Sequence, residues 1–327
     1  MFKDKKKLTL VLLSSIAATS FMSVSTLATA DNGEWPQGDV RVIMHTKAGG
    51  SSDVFMRTLA ESLEPQIGQS ITVINSPGGG GASQMTRVRS AEPDGLTLGI
   101  NTLSHFTGML TNLEGVFAID DFEWIATAQS DSLLIWTRTD SPINDLNALI
   151  DEAKQSDEKV TVGGFGPQGS TQHIGLSMLE NAAGVEFEWV PFNSTPDIVS
   201  ATLGGHVDVG MSSLGGAQAY FEAGRLKGLG VHGEKRLESL PDVATYEEQG
   251  YNVDPNWKQV RGVFGPAGIP METQQQIADA FHEAMQTEDY QAYARSAGVT
   301  DFWIGPEEYT EFAYQISETA QKELDKE

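Results

Sequence analysis

The stretch DVRVIMHTKAGGSSDVFMRTLAESLEPQIGQSITVINSPGGGGAS, residues 39–83, decides the fold class. A β-rich run at 39–46 is followed by residues 51–68, whose apolar positions recur with the spacing of one helix face. A second β-rich run at 70–75 leads into four consecutive glycines and another helical pattern. Because strands alternate with helices, the stretch predicts a parallel sheet covered by helices on both faces.

The same alternation continues along the chain and ends in two long helical patterns, at 271–287 and 306–324. A chain of 327 residues is too long for one typical hydrophobic core, so the sequence predicts two α/β lobes. The further strand candidates are residues 96–101, 132–138, 159–166, 186–192, 207–213, 226–232 and 259–266.

The first thirty residues have the pattern of an export signal. Four lysines precede an apolar segment, and the A-x-A sequence at 28–30 precedes a polar stretch. The pattern predicts a signal peptide that is cleaved after Ala30, which places the mature protein in the periplasm. No later run has the roughly 20 apolar residues of a transmembrane helix, so we expect a soluble mature protein. The chain has no cysteine, which excludes disulfides and a lipidated cysteine anchor.

The charge balance is strongly acidic. Residues 1–30 contain four Lys and one Asp, so the remainder carries 17 Lys and Arg against 44 Asp and Glu. Such a balance repels nucleic acid, and no basic cluster offsets it. An acidic ligand must therefore be captured by local donors that act against the overall field.

Three glycine-rich turns follow strand candidates and precede helices. They lie at residues 49–53, 78–83 and 166–171. Such turns present unpaired N–H groups to an anion, and the carboxyl ends of parallel strands are where open α/β sheets bind ligands. The four glycines lack the lysine of a Walker loop, and Ser83 stands where a dinucleotide fingerprint requires glycine. We therefore expect a site for a small organic anion and no nucleotide cofactor.

The order of these motifs resembles the solute-binding receptors of tripartite tricarboxylate transporters, the TctC or Bug family. The resemblance begins with the motifs KAGGSSD, NSPGGGGAS and PDGLTLGI. It continues in the family's order with GPQGSTQHIGLSML, WVPFNSTPDIVSATLGGHVDV and GVFGPAGIP. The resemblance covers essentially the whole mature chain. It implies two lobes of the type II periplasmic-binding-protein kind, each a mostly parallel sheet flanked by helices, with the ligand between the lobes.

The resemblance also implies the lobe boundaries and the ligand contacts. One lobe would comprise residues 31–131 and 233–327, and the other residues 132–232. A ligand carboxylate would be held mainly by backbone amides and hydroxyls. The implied contacts are Gly49, Gly50, Ser51, Ser52, Gly80, Gly81, Ala82, Ser83, Gly169, Ser170, Thr171, His173, Phe192, Asn193, Ser194, Thr195 and Ser212.

Several positions depart from the family pattern. His45 and Thr46 replace a proline and an aromatic residue, and Lys47 replaces a small residue. Lys47 either supplies a cation to the ligand or is a solvated loop lysine. Neutral donors stand at 193–195 where the family has a charge and glycines, so the far end of the ligand is expected to differ from that of the best-known members.

The expected function is that of a monomeric receptor and not of an enzyme. It would capture a mono-, di- or tricarboxylate by hinge closure and deliver it to a permease of a large and a small membrane subunit. A receptor for a membrane signalling protein is the first alternative. A secreted hydrolase or isomerase with His173 or His105 as base is the second, although the sequence has no nucleophile elbow and no metal-binding histidine motif.

Overall fold

The computed structural model describes residues 35–156, 158–255 and 257–325, so the predicted signal peptide lies outside the described residues. The strands are β1 Val40–Met44, β2 Ile71–Asn75, β3 Thr97–Thr102, β4 Phe122–Asp131, β5 Leu133–Arg138, β6 Thr161–Phe165, β7 Glu188–Phe192, β8 Val209–Ser212, β9 Leu226–His232, β10 Gln259–Pro266 and β11 Val299–Asp301. The helices are α1 Ser51–Ile67, α2 Ala82–Arg89, α3 Leu103–Met109, α4 Leu146–Gln155, α5 Thr171–Ala183, α6 Thr195–Leu203, α7 Gln218–Glu222, α8 Met271–Met285, α9 Glu288–Ala297 and α10 Pro306–Leu324.

The strands form two sheets. The first sheet has the order β11-β4-β10-β3-β1-β2, and the second has the order β7-β6-β8-β5-β9. Strands β2, β1 and β3 are parallel, as are β7, β6 and β8. The predicted two-lobed α/β fold is confirmed, with its parallel pairing confined to these two groups.

The remaining pairings are antiparallel because the chain passes between the sheets. β4 ends at Asp131 and β5 begins at Leu133, so one strand arrives at the junction while the next leaves it. β10 likewise begins near the junction, and it pairs antiparallel with β3 and β4. The carboxyl ends of β1, β2 and β3 therefore face the same junction as those of β6, β7 and β8.

Helices cover the first sheet, which explains its apolar strands. Val42 and Met44 of β1 belong to the same buried cluster as Phe55 and Leu59 of α1. Each such side chain contributes about 1.5–3 kcal/mol when it is buried. A sheet covered on both faces favours apolar residues at successive positions, as at Val42, Ile43 and Met44 of β1.

Sequence reasoning missed β4, β11, α3 and α9. β4 is ten residues long and buried along almost its entire length, so it has neither the alternation of a half-exposed strand nor flanking turn signals. β11 has three residues and pairs only at the end of β4, and α9 lies between the two predicted long helices. Pairing with neighbours decides these elements, and local pattern does not.

The lobe boundaries at 131/132 and 232/233 stay a prediction. The segment after β9 continues along the second sheet, where Thr245 forms a bridge with Val231. Tyr246 and Trp257 belong to the buried cluster of that sheet, as does Ala320 of α10.

Candidate functional site

Loops from both sheets enclose a cavity of about 320 Å³ at the carboxyl ends of the parallel strands. This is the position at which open α/β sheets bind ligands. We call it the outer cavity. It is lined by His45, Gly78, Gly79, Gly80, Gly81, Asn112, Phe165, Gly166, Pro167, Pro191, Phe192 and Asn193.

A second space of about 20 Å³ lies beside the outer cavity and has room for about one water molecule. We call it the inner space. His45 and Phe165 line both, so they form the wall between them. The other lining residues are Thr46, Gly50, Ser51, Ser52, Gln172, Thr195, Ser213, Gln259 and Arg261.

The four glycines present bare main chain to the outer cavity. Gly78, Gly79, Gly80 and Gly81 all have positive φ, between 61° and 122°. A Cβ on Gly80 would lie 2.8 Å from the nitrogen of the exposed Asn112 side chain, so any side chain there would require Asn112 to move. The Gly81 N–H donates to the Gly78 carbonyl at 3.2 Å, whereas Gly79 and Gly80 lie in the first turn before α2, whose N–H groups have no acceptor within a helix. The function of this turn as an anion cradle stays a prediction.

The residues that follow the glycines support the turn. The hydroxyl oxygens of Ser83 and Ser76 lie 2.8 Å apart, and Ser83 does not line the outer cavity. Ala82 is the first residue of α2 and packs against the aromatic cluster of the first sheet.

The start of α1 connects the two sheets. The Ser51 hydroxyl lies 3.2 Å from that of Thr195 at the start of α6, and it accepts a hydrogen bond of 3.0 Å from the Gly216 N–H. The Gly49 N–H donates to Asp53 at 2.9 Å, which holds the turn in shape. Ser51 and Thr195 thus make the interlobe contact at the inner space.

Arg261 is the cation of the inner space, and sequence reasoning missed it. Its Nη1 pairs with the Asp131 carboxylate, Nε donates to Ser52 at 3.0 Å, and Nη2 donates to Ser213 at 3.0 Å. Arg261 is 2% exposed and Asp131 is 3% exposed. A lone arginine in the apolar run QVRGVFGP was the available signal, since a buried charge requires a partner.

The third predicted cradle, residues 166–171, lines the outer cavity with Gly166 and Pro167, but its remaining residues point elsewhere. The Thr171 N–H donates to the Ser104 hydroxyl at 3.1 Å, and the Gly169 N–H donates to His173 at 3.2 Å. The Ser170 hydroxyl accepts from the His173 N–H and caps α5. The structure therefore uses these donors within the protein, and none of the four residues lines the outer cavity or the inner space.

The other predicted contacts divide between the cavity wall and positions away from it. Lys47 lines neither the outer cavity nor the inner space, and its exposed ammonium group is 2.8 Å from the Asp197 carboxylate. Phe192 and Asn193 line the outer cavity, whereas the Ser194 hydroxyl caps α6. Ser212 is buried and donates to the Ser213 carbonyl at 2.8 Å.

His105 lies beneath the glycine turn with both ring nitrogens in use. The Thr102 N–H donates to Nδ1 at 3.1 Å, so Nε2 carries the proton and donates to Gln84 at 2.7 Å. Burial lowers the pKa of His105 to about 4. With its nitrogens engaged and its ring 1% exposed, His105 supports the turn and has no access to a substrate.

The lowered pKa of His105 predicts a stability change in acid. The unfolded chain binds a proton near pH 6.5 and the folded chain only near pH 4, so stability is lost as the pH falls between these values. His105→Gln removes this titration and should reduce the loss between pH 6.5 and 4 by about 3 kcal/mol. Urea unfolding across this range measures the effect. The exposed His206→Gln variant is the control, and an unchanged slope in His105→Gln would contradict the assignment.

Some arrangements are absent from the described residues. No three His, Asp or Glu residues of 35–156, 158–255 and 257–325 come together in a way that could hold a metal ion. Within the same ranges, no helix combines the length and the apolar character that crossing a membrane requires.

Two helix-flanked sheets with a polar cleft at the carboxyl ends of their strands define a two-lobed ligand-binding protein of the type II periplasmic kind. The family model TctC, described as "Tripartite tricarboxylate transporter family receptor", matches residues 55–326. The chain belongs to this family, which confirms the resemblance drawn from its motifs.

Individual proteins agree with this assignment. A UPF0065 protein from Cupriavidus necator is 29% identical over 308 residues, which cover 94% of this chain and 92% of that protein. The periplasmic binding protein BugD superposes with a TM-score of 0.81 at 24% identity, over 89% of this chain and 98% of BugD.

Two Rhodopseudomonas palustris structures share the fold. MatC with bound malate has a TM-score of 0.74 at 24% identity, over 89% of this chain and 98% of MatC. A protein with adipate has a TM-score of 0.79 at 22% identity, over 89% of this chain and 97% of that protein.

Proposed function

We propose that the protein is a periplasmic receptor that captures a small organic carboxylate and delivers it to a tripartite membrane permease. The observation that carries the proposal is the outer cavity, in which the bare main chain of Gly79 and Gly80 faces the second sheet. Membership of the receptor family and the malate and adipate of the two structural neighbours support it.

The carboxylate binds at the glycine turn. The amides of Gly79 and Gly80 begin a helical turn, and the Asn112 side chain lies against Gly80. Hydrogen bonds to an ionised group are about twice as strong as those between neutral groups. They strengthen further when closure removes water. This allows neutral donors to hold an anion despite the acidic surface.

Closure joins the lobes around the ligand. The lobes are residues 31–131 with 233–327 and residues 132–232, and the chain crosses near Asp131 and His232. Direct bonds between Ser51 and Thr195 and between Ser104 and Thr171 connect the two sides. A ligand that bridges the glycine turn and the Phe192 loop stabilises this arrangement, because it contacts both lobes only when they are closed.

Membership of the receptor family supports the permease partner and the periplasmic location. A receptor of this kind delivers its ligand to a large and a small membrane subunit as a monomer in the periplasm. Deletion of either subunit should abolish uptake of the bound acid by the host cell. Retained uptake together with a lost response to the acid would assign the protein to sensing.

A thermal-shift screen of mono-, di- and tricarboxylates tests the binding. A ligand at 100 times its dissociation constant adds about 2.7 kcal/mol of stability, so the melting temperature should rise for at least one acid. Calorimetry then gives the affinity, and analysis of the recovered acid should show no product. A rise with sugars or cations and none with carboxylates would overturn the proposal, and turnover would identify an enzyme.

A further inference from the structure

His45 is held with one ring nitrogen in use and the other at the ligand site. Its Nδ1 lies 3.1 Å from the Ile100 carbonyl oxygen, so Nδ1 carries the proton and donates. The ring packs edge-on against His105 at 4.8 Å and Phe165 at 5.4 Å between centroids. These contacts fix the ring, and Nε2 keeps a lone pair.

The Nε2 atom reaches the cavity. Within the described residues, the one hydrogen bond of the His45 side chain is that to Ile100, so Nε2 has no partner. Unlike His232 Nδ1, which is fully enclosed and also lacks a partner, His45 Nε2 is not fully enclosed. His45 lines both the outer cavity and the inner space. Burial, with the adjacent His105 and Arg261, holds the pKa of His45 well below 6.5. At neutral pH Nε2 is therefore a hydrogen-bond acceptor.

Two further oxygens of the inner space lack partners. Thr46 Oγ1 and Gln259 Oε1 are enclosed and make no hydrogen bond within the described residues. Both side chains are 5% exposed. A carboxylate supplies only acceptors, so it cannot satisfy His45 Nε2 or Gln259 Oε1. One water molecule in the inner space can donate to Thr46 and Gln259, whereas a direct hydrogen bond from the ligand to His45 Nε2 requires a donor that a simple carboxylate lacks.

The missing donor is uncharged. Among the described residues that line the outer cavity and the inner space, Arg261 is the only one with a charged side chain, since His45 is neutral. A ligand ammonium group would find no carboxylate there to balance its charge, and burying an unpaired charge is costly. A hydroxyl donates a hydrogen bond without this cost.

We propose, on the basis of the carboxylate-receptor function above, that the ligand is a hydroxy acid and that His45 is the residue that selects it. The carboxylate lies at the glycine turn, and the hydroxyl on the body of the ligand donates to His45 Nε2. His45 stands where the family pattern has proline. The preference is thus a property of this chain.

Three ligand pairs that differ by one hydroxyl test the proposal: propionate and lactate, succinate and malate, and phenylacetate and mandelate. Calorimetry at pH 7.5 on the wild type should show at least one pair in which the hydroxy acid binds 10-fold or more tightly. In His45→Phe, which keeps a ring but loses the acceptor, this ratio should fall below about 3-fold.

The exposed His206→Phe variant is the control and should keep the wild-type ratio. His45→Gln, which restores an acceptor, should recover part of the preference, and circular dichroism checks that each variant is folded. Carboxylates that bind with no preference for hydroxyl in any pair, or with the same preference in His45→Phe, would overturn this inference and leave the receptor function standing. Failure of every acid to bind any variant or the wild type would overturn both.

Discussion

Replacing Asp131 by Asn should lower the free energy of unfolding by about 3–5 kcal/mol, because it leaves the buried Arg261 guanidinium without a counter-charge. The Asp131 carboxylate accepts from Arg261 and from Gln129, the latter at 2.8 Å. Both members of the ion pair are almost completely buried. Asparagine preserves the shape but not the charge, so the loss measures the uncompensated cation. Urea unfolding without ligand gives the difference.

The structure offers a matched control for this substitution. Arg138 and Asp140 form an ion pair at 2.9 Å in which the Asp140 side chain is 83% exposed. Asp140→Asn should change stability by less than about 1 kcal/mol, since exposed pairs contribute little. The double variant Asp131→Asn with Arg261→Gln should recover part of the loss, because it removes the unpaired charge. A loss below 1 kcal/mol for Asp131→Asn alone would show that Arg261 is compensated in another way.

Replacing Gly80 by Val should weaken carboxylate binding at least about 100-fold, which corresponds to about 2.7 kcal/mol. Gly80 has φ of 63°, and a Cβ there would lie 2.8 Å from the Asn112 side-chain nitrogen and 3.5 Å from Pro167. The added side chain would therefore enter the outer cavity and displace the amides of the turn. Calorimetry with the acid found in the screen measures the affinity.

The substitution Gly68→Val is the control that distinguishes damage to the ligand site from the effect of backbone strain. It ends α1 with φ of 66°, close to the value at Gly80, and a Cβ there would meet no atom within 4 Å. Gly68→Val should cost a similar amount of stability, about 1–2 kcal/mol for a β-branched residue in the left-handed region, and keep its affinity. Equal affinities of the two variants would remove the glycine turn from the ligand site.

Sequence reasoning located the turn at residues 78–81 because glycine is the one residue that adopts four successive positive φ values at little cost. It placed β1 and β2 from local sequence as well, since both strands are rich in β-branched and apolar residues. It also predicted that Ser51 and Thr195 belong to one site, and the structure brings them within 3.2 Å.

Sequence reasoning did not identify the polar groups that lie between the lobes. Arg261 and Asp131 are 130 positions apart and meet because β10 pairs with β4, a strand with no local signal. The Gly169 turn has the composition of an anion cradle, yet Ser104 occupies the Thr171 N–H. Which donors face a ligand depends on what packs against them.

The sequence by itself determined the alternation of strands and helices, the glycine turn and the family, because each depends on residues close together in the chain or on their order. The tertiary structure decided which groups are paired and which remain available. His45 is an acceptor at the cavity because Ile100 binds one of its nitrogens, and Arg261 is neutralised because Asp131 lies beside it. Hydrogen bonding and burial of a polar group depend on its neighbours in space, which the order of residues does not specify locally.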